Sequence, residues 1–300
     1  MALRDVHQRA GERGFVTTAD VADAEVASSS FSGHAAAIGW TTKFWRVWVP
    51  TGSKLEHRSL CEAAVASVGG DVLITGASAL YLDGVLPNPP AAAELLLDSS
   101  RHVAPRDEVC LHRTVSFGKL RGHNRGELML APTDRAIADH AAHTSVNDMC
   151  RDIAAALRTR RCSMAGICAQ LAARKRFPGR ATLRRAYELL SGEVVHSDDE
   201  RLARRLLGEA GMSPGSKPLP VEVGGRLIAE IDIPFDRLLY GVEVDGPHHL
   251  LPDVAAADRA RDRRLERVGW TIDRFYWFEV EDRPAYFVAE VQRQIARLGG

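Results

Sequence analysis

The chain has 300 residues, of which 45% are apolar and 26% are charged, and this composition is typical of a globular protein with two or three domains. Its 39 basic residues balance its 39 acidic residues, so the net charge alone indicates no polyanionic partner. No stretch approaches the roughly 20 apolar residues that cross a bilayer, and the first residues lack the apolar core of a signal peptide. Because of that, no membrane partner is expected. The five cysteines never form a CxxC pair, which favours a reduced, cytoplasmic protein.

Residues 1–54 predict three short helices followed by a basic, aromatic β-hairpin. Thr17 or Thr18 is expected to cap the second helix, and the third helix is placed at about residues 30–38. This order is the layout of a winged helix, in which the third helix enters the major groove of DNA. The DNA contacts predicted on this helix and on the wing are Ser30, His34, Lys43 and Arg46. In the alternative interpretation the region is a helical cap with a purely structural aromatic core, formed by Trp40, Phe44, Trp45 and Trp48.

Residues 55–194 predict a central α/β domain, with short strands in AELLLDS and EVCLHRT and amphipathic helices after residue 132. The end of this domain is strongly basic. Residues 151–185 contain ten Lys or Arg and one acid, whereas residues 196–300 contain 15 basic and 19 acidic residues. A basic segment before an acidic one fits a protein that holds a polyanion in one place and acts on it in another. The alternative is that arginine-rich helices merely form a solvated surface.

The third predicted domain, residues 195–300, begins with a helix that ends at Gly211. Glu200 precedes Ala203 by three residues and Leu207 by seven, so it shares their side of the helix and is expected to point toward the domain. The spacing Ser197-x-x-Glu200 also fits a capping box, in which the glutamate bonds back to the first residue of the helix. The two roles do not exclude each other.

Two strand patterns follow, RLIAEIDIP and LLYGVEVDG, joined by a short turn. Glu243 and Asp245 point to the same face of the second strand, and a hairpin would bring Asp232 of the first strand close to Glu243. Clustered acids repel each other unless a cation or a proton intervenes. A divalent cation with oxygen ligands, Mg²⁺ above all and Mn²⁺ as a substitute, is the simplest resolution. The predicted metal ligands are Asp232, Glu243 and Glu200.

Gly246 and Pro247 then turn the chain and leave His248 and His249 beside the predicted cation. One of these histidines would position or deprotonate a water molecule, or protonate a leaving oxygen. The alternative is a hydrogen-bonded structural histidine or a surface residue. The next helix carries arginines that would neutralise DNA phosphates, unless they are only a solvated helix face: Arg259, Arg261 and Arg263.

The order of these pieces resembles the very-short-patch-repair-like endonuclease domain of the PD-(D/E)XK nuclease superfamily. The matching pieces, from about residue 196 to 298, are Glu200, Asp232, EVDGPHH, DRARDRRLERVGW and Arg274. The resemblance implies a mixed β-sheet flanked by helices and Mg²⁺-dependent hydrolysis of a phosphodiester. The first two thirds, with GFVTTADV, SALYLDGV and APTDRAIADHA, are similar to AbiEi-like antitoxin and regulator proteins. That second resemblance implies DNA binding and transcriptional autoregulation.

Asp245 departs from the superfamily pattern, because it stands where the motif has a lysine. The lysine is credited with stabilising negative charge at the phosphate or with orienting water, and an aspartate supplies no positive charge. Three explanations are open: His248, His249 or an arginine of the next helix replaces the lysine, Asp245 becomes a third metal ligand, or the domain has lost catalysis.

The sequence therefore predicts a multi-domain α/β protein, with a winged helix, a central α/β domain and a PD-(D/E)XK-like domain at residues 195–300. The predicted function is metal-dependent hydrolysis of DNA, with these catalytic residues: Glu200, Asp232, Glu243, Asp245, His248 and His249. The alternative is a non-catalytic DNA-binding regulator or antitoxin that retains a nuclease fold and binds a cognate toxin. An RNA nuclease is a more distant alternative, since a major-groove helix favours DNA. The sequence does not predict the oligomeric state.

Overall fold

A computed structural model describes residues 2–104, 107–192 and 197–299, and it confirms the prediction of a multi-domain α/β protein. The chain forms two compact units. The first comprises Met1–Thr144 and Thr159–Arg180, and the second comprises Ser145–Arg158 and Ala181–Gly300. None of the described helices combines the length and the apolar character needed to cross a membrane.

The N-terminal part of the first unit has three helices and a small antiparallel sheet. Its elements are α1 (Ala2–Arg13), β1 (Val16–Thr17), α2 (Thr18–Asp23), α3 (Ser28–Ala37), β2 (Thr41–Phe44) and β3 (Val47–Val49). The strands pair in the order β1-β3-β2, which is the arrangement of a winged helix. Thr17 caps α2, as one of the two predicted choices, and forms a capping box with Asp20.

Three of the four aromatic residues near the hairpin pack inside this part of the unit. Phe44 and Trp48 are buried, and Trp40 packs against the buried cluster. Trp45 differs, because 59% of it is exposed at the turn between β2 and β3. The two strands of the predicted hairpin meet at this turn, where Arg46 has a φ of 67°. The exposed turn is the tip of the wing.

The rest of the first unit is built around a mixed five-stranded sheet. The elements up to residue 173 are α4 (His57–Val68), β4 (Leu73–Ile74), α5 (Gly76–Leu82), β5 (Ala93–Asp98), β6 (Val109–Thr114), β7 (His123–Arg125), β8 (Leu128–Leu130), α6 (Thr133–His140), α7 (Val146–Arg158) and α8 (Met164–Ala173). The strand order is β6-β5-β4-β8-β7, with β6 at one edge and in parallel pairing with β5. Helix α7 belongs to the second unit.

The second unit has a three-stranded sheet, a separate β-hairpin and surrounding helices. Its further elements are α9 (Arg180–Leu190), α10 (Ser197–Glu209), β9 (Leu219–Val223), β10 (Arg226–Ile231), β11 (Ile233–Phe235), β12 (Tyr240–Asp245), α11 (Pro252–Glu266), β13 (Thr271–Tyr276), α12 (Trp277–Asp282) and α13 (Pro284–Gly299). Short 3₁₀ helices lie at Asp236–Leu238 and Pro247–Leu250 in this unit, and at Phe117–Lys119 in the first unit. The sheet order is β11-β12-β13, with β12 and β13 parallel.

The predicted division into three domains, 1–54, 55–194 and 195–300, stays a prediction. The two compact units cut through the predicted central domain, because α7 and nearly all of α9 belong with the C-terminal elements. The predicted boundary at residue 194 lies outside the described residues.

The prediction that RLIAEIDIP forms one strand is wrong. The strand is broken at Asp232: β10 pairs with β9, whereas β11 pairs with β12. The guanidinium of Arg204 donates to the backbone carbonyl of Asp232, so that carbonyl is engaged outside any strand ladder. Asp232 therefore lies at a junction between two strands, next to the Ile233–Val242 pair.

The two faces of β12 have different surroundings. Tyr240 and Val242 belong to the apolar core that also contains buried residues of α10, α12 and α13. On the other face, a Cβ on Gly241 would lie 2.5 Å from Ile231, so only glycine fits that contact. Glu243 and Asp245 continue the Gly241 face, as the alternation of side chains along a strand predicts. This face carries the candidate site.

Candidate active site

A cavity of about 460 Å³ lies at the C-terminal end of β12. It is called the acidic cavity below, and its ionisable lining residues are Glu200, Asp232, Glu243, Asp245, His248, His249 and Arg261. All six predicted catalytic residues are therefore found around one space. Glu243 and Asp245 are buried, with exposed fractions of 2% and 7%, while Glu200 and Asp232 are half-buried.

Three local features bring these acids together. Glu243 and Asp245 are two residues apart on β12, and Asp232 comes just before the residue that pairs with Val242. Glu200 lies one and two turns before Ala203 and Leu207, which are both fully buried in the core. The apolar side of α10 thus aims Glu200 at the cavity. The alternative capping box would involve the side chain of Ser197, which lies outside what the structure describes.

The four carboxylates have raised pKa values. Burial is the main cause for each of them. The negative charge of Asp232 adds to the effect at Glu200, and the charges of Asp232 and Asp245 add to it at Glu243. The pKa of Glu243 reaches about 7, although Arg274 and Arg261 oppose the increase. Holding all four groups ionised in this cavity therefore costs free energy unless positive charge is added.

Two arginines supply part of that positive charge. Arg261 of α11 forms an ion pair with Glu243. Arg274 of β13 is the register partner of Glu243, and its guanidinium lies 2.8 Å from the carboxylates of both Glu243 and Asp245. Asp262 binds the same guanidinium through two bonds of 2.8 and 2.9 Å, which fixes its orientation. A guanidinium with a fixed orientation therefore lies against both Glu243 and Asp245.

One oxygen of the site has no partner. Within the described part of the chain, Glu243 Oε1 is buried and accepts no hydrogen bond, while Oε2 is bound by both arginines. A buried carboxylate oxygen without a donor is costly, and it is a common sign of an unrecorded ion or ligand. This oxygen belongs to the same cavity as three other carboxylates. The donor set therefore fits a hard divalent cation such as Mg²⁺.

His249 is held by an acid at the edge of the cavity. Its Nδ1 lies 2.7 Å from Asp258 Oδ2 on α11 and 3.8 Å from Asp245 Oδ1. A carboxylate at Nδ1 holds the ring and favours the tautomer with its proton on that nitrogen. The ring centroid of His248 lies 4.0 Å from that of His249, and the two ring planes are tilted by 47°. Asp258 thus fixes the orientation of His249 at the cavity.

The three predicted metal ligands line one cavity, but their ligand atoms do not form a compact group. Among the described residues, two groups of three potential ligand atoms lie within 4.8 Å of one another: Asp245, His249 and Asp258, and Glu94, Cys110 and His112. Glu200, Asp232 and Glu243 line the acidic cavity together without forming such a group. Their assignment as metal ligands stays a prediction.

The predicted DNA contacts occupy different settings. Ser30 and Arg46 are exposed, and the Arg46 guanidinium stacks 3.8 Å from the ring of Trp45. Lys43 is in an ion pair of 2.6 Å with Glu108. His34 is half-buried with its Nε2 3.2 Å from Nε2 of His7. A groove of about 380 Å³ beside the wing is lined by other residues of α3, among them Ser29, Ser32 and Ala36.

The arginines of α11 are also divided. Arg259 and Arg263 are exposed, which fits both phosphate contacts and a solvated helix face. Arg261 is half-buried and its guanidinium binds Glu243 inside the acidic cavity. The basic segment 151–185 is distributed over both compact units rather than confined to one.

Sequence reasoning missed three members of the site. Arg274 was noted only as part of a motif, and Asp258 and Asp262 were not singled out. The available signal was the spacing of α11, because Asp258, Arg261 and Asp262 lie three and four residues apart and so share one side of the helix. Their partners on β12 and β13 depend on tertiary packing, which no local pattern gives.

Comparison with solved structures gives a match to the crystal structure of the RV2827C protein from Mycobacterium tuberculosis. The sequence identity is 17% and the TM-score is 0.41, over 72% of this chain and 83% of that chain. No protein-family model matches the chain. A search of curated proteins also finds no match. The functional interpretation therefore depends on the residues of the site.

Proposed function

We propose that the protein is a metal-dependent endodeoxyribonuclease whose reaction takes place in the acidic cavity. The observation that carries this proposal is the meeting of four carboxylates with raised pKa values in one cavity, one of which has a buried oxygen without a partner. Groups of acids held at a cost in stability are typical of functional sites. The resemblance to very-short-patch-repair-like endonucleases agrees with this proposal but is independent of it.

In the proposed site, Asp232 and Glu243 would hold Mg²⁺, with Glu200 assisting directly or through water. The bound ion would polarise the phosphodiester and lower the pKa of a water molecule. The unpartnered Oε1 of Glu243 offers a ligand atom that no arginine occupies. Asp245 would act mainly by holding Arg274, since their side chains are 2.8 Å apart.

Arg274 would take the part that the superfamily gives to its lysine. Its guanidinium is anchored on two sides, by Asp262 and by Asp245, and it contacts Glu243 and Asp245, which line the acidic cavity. A guanidinium placed in this way can stabilise the negative charge that develops on a phosphate. His249, held by Asp258 at Nδ1, would have its Nε2 available to accept a proton from water.

DNA is the proposed substrate because of the N-terminal part of the first unit. Its helices and β1-β3-β2 sheet form a winged-helix arrangement with an exposed arginine and tryptophan at the wing tip. Such a module binds duplex DNA through α3 and the wing. The cytoplasm is the proposed location, in keeping with five free cysteines.

The second candidate function is a non-catalytic DNA-binding regulator or antitoxin, with a cognate toxin as partner. A specific observation favours it: the guanidinium groups of Arg261 and Arg274 already neutralise Glu243 in the structure. A site in which arginines permanently replace the metal would keep its fold and lose its chemistry. The two candidates therefore differ in whether a divalent cation enters the acidic cavity.

A cleavage assay separates the candidates. Plasmid, linear, nicked and mismatched DNA would each be incubated with the full chain and Mg²⁺ or Mn²⁺. We expect cleavage with either metal and a loss of at least about 100-fold in Asp232→Asn, since even indirect partners of a metal site contribute 10–100-fold. The matched control is Asp236→Asn, an exposed aspartate outside the cavity, which should cut like the unmodified protein.

Binding measurements complete the test. Asp232→Asn should bind DNA with the affinity of the unmodified protein. Asp232 belongs to the second unit, whereas the winged helix belongs to the first. If the unmodified protein binds DNA but cuts none of the four substrates with either metal, the nuclease proposal is wrong and the regulator is favoured.

A further inference from the structure

A second group of ligand-type side chains lies in the first unit, between two strands of the five-stranded sheet. Glu94 of β5 and Cys110 of β6 are register partners in the parallel pair, and His112 comes two residues after Cys110 on the same side of β6. His112 Nε2 is 2.8 Å from Glu94 Oε2 and 3.7 Å from Cys110 Sγ. All three ligand atoms lie within 4.8 Å of one another.

His112 Nε2 has two hydrogen-bond neighbours but at most one proton to share between them. The two neighbours are a carboxylate oxygen and a sulfur. Glu94 is held in place independently, because its Oε1 accepts the Ala77 N–H at the beginning of α5. A Cβ on Gly76 would lie 1.9 Å from Glu94 Oε2, so a glycine is needed to make room for the carboxylate. A single cation among the three atoms would satisfy them all at once.

The donor types select the cation. A thiolate, an imidazole and a carboxylate suit Zn²⁺ and related transition metals, whereas Mg²⁺ prefers oxygen ligands alone. The charges also balance, because a thiolate and a carboxylate cancel the two positive charges of the metal. Neutrality matters here because Glu94 has an exposed fraction of only 6% and the imidazole of His112 is mostly buried.

We propose that Glu94, Cys110 and His112 form a binding site for Zn²⁺ or a similar divalent transition metal. The metal would tie β6, the edge strand of the sheet, to its neighbour β5. Cys110 and His112 are half-buried, so a water molecule can reach the fourth coordination position. This site belongs to the first unit and does not depend on the nuclease proposal.

The test uses Zn²⁺ and Co²⁺ alone as probes of the full chain. Bound Co²⁺ with a thiolate ligand should give a near-ultraviolet charge-transfer band, and none of the residues lining the acidic cavity is a cysteine. We expect the band, together with one tightly bound Zn²⁺ and an increase in melting temperature. Cys110→Ser should abolish the band and lower Zn²⁺ affinity by at least about 100-fold. Cys168→Ser, at an exposed cysteine of the same unit, is the matched control and should behave like the unmodified protein.

The choice of serine at Cys110 and one further variant keep the result interpretable. Cys110→Ser retains the bond between Glu94 and His112, so a folded variant without the band reports on the metal and not on a lost ion pair. Asp232→Asn should leave the band unchanged, because it alters only the acidic cavity. A protein with no thiolate band, whose Zn²⁺ affinity is the same in Cys110→Ser, would overturn the proposal. The cluster would then be a histidine–glutamate ion pair with a neighbouring thiol.

Discussion

The two units contain buried acids in opposite circumstances. In the first unit Asp83 and Asp139 each have two basic partners, and these two are called the matched acids. Their partners at 2.8–3.1 Å are His123 and Arg125 for Asp83, and Arg135 and Arg174 for Asp139. In the second unit four acids share one cavity and their pKa values are raised, chiefly by burial.

The difference separates carboxylates that are paired with bases from carboxylates that crowd each other. A buried carboxylate that is matched by bases stabilises the fold relative to the same fold with one partner missing. Carboxylates that crowd each other oppose folding, and under the proposed function they are kept because metal binding needs them. The acidic cavity has this second character even though Arg261 and Arg274 reduce its charge.

The same substitution in both units tests this difference most directly. Asp139 is 4% exposed and accepts a 2.8 Å hydrogen bond from Thr75 in addition to its ion pairs. Asp139→Asn should therefore lower the free energy of unfolding by about 3–5 kcal/mol, because it removes the charge that pairs with the buried Arg135 and the half-buried Arg174. Asp232→Asn should change it by less than ~1 kcal/mol, or increase it, since a crowded charge is removed. Urea unfolding of the metal-free proteins measures both.

Exposed aspartates give the baseline for that experiment. Asp236 is exposed and belongs neither to the matched acids nor to the acidic cavity. The free energy of unfolding of Asp236→Asn should therefore stay within about 0.5 kcal/mol of that of the unmodified protein. If Asp232→Asn destabilises the chain as strongly as Asp139→Asn, the acids of the cavity are structural and the comparison fails.

Much of the acidic cavity could be predicted from sequence because its acids follow local rules. The two-residue period of a strand puts Glu243 and Asp245 on one face, and the helical period puts Glu200 beside Ala203 and Leu207. The basic partners could not be predicted in this way. Arg274 reaches Glu243 only because β13 pairs in parallel with β12 in a particular register, and that register is fixed by the packing of the whole unit.

The fold class was predictable for a similar reason, whereas the extents of the strands were not. The short helices and the hairpin of the winged helix are punctuated by Thr17 and by turn residues. The break at Asp232 has no such signal, because there the chain changes its strand partner and the carbonyl of Asp232 accepts from Arg204 of α10, neither of which a local pattern gives. The metal-type cluster of β5 and β6 was missed because its strands are parallel, and their pairing joins residues whose spacing follows no motif.

The pH dependence of stability should also distinguish the two units, because each loses stability over a different pH range. The pKa of Glu243 rises from 4.5 to about 7, so the folded chain keeps a proton there that the unfolded chain loses. Stability should then fall as pH increases from about 4.5 to 7, by on the order of 2 kcal/mol. Cys110 and Glu94 raise the pKa of His112 from 6.5 to about 10 against the opposing effect of burial, so its contribution is complete below pH 6.5 and is lost as pH increases toward 10.

Chemical unfolding with EDTA present, at pH 5, 7 and 9, tests these windows. Glu243→Gln should reduce the change between pH 5 and 7 and leave the change between pH 7 and 9. His112→Gln should do the reverse. A variant could instead reduce the change in stability in the other pH range, or in neither range. Either result would show that the assigned group does not control the pH dependence of its unit.

The same distinction between matched and unmatched charges gives the smallest expected effect, at the wing. Lys43 has Glu108 as a partner, whereas Arg46 makes no ion pair within the described residues and stacks on the exposed Trp45. Arg46→Ala should weaken DNA binding about three- to fivefold and reduce the slope of log affinity against log salt by about 1. Lys43→Ala should weaken binding less than about twofold, because its charge is already neutralised. Glu108→Gln would release Lys43 and should strengthen DNA binding slightly. Equal losses of affinity in Arg46→Ala and Lys43→Ala, with no gain in Glu108→Gln, would contradict this prediction. Pairing with a neighbouring acid would then not decide which charges of the wing contact DNA.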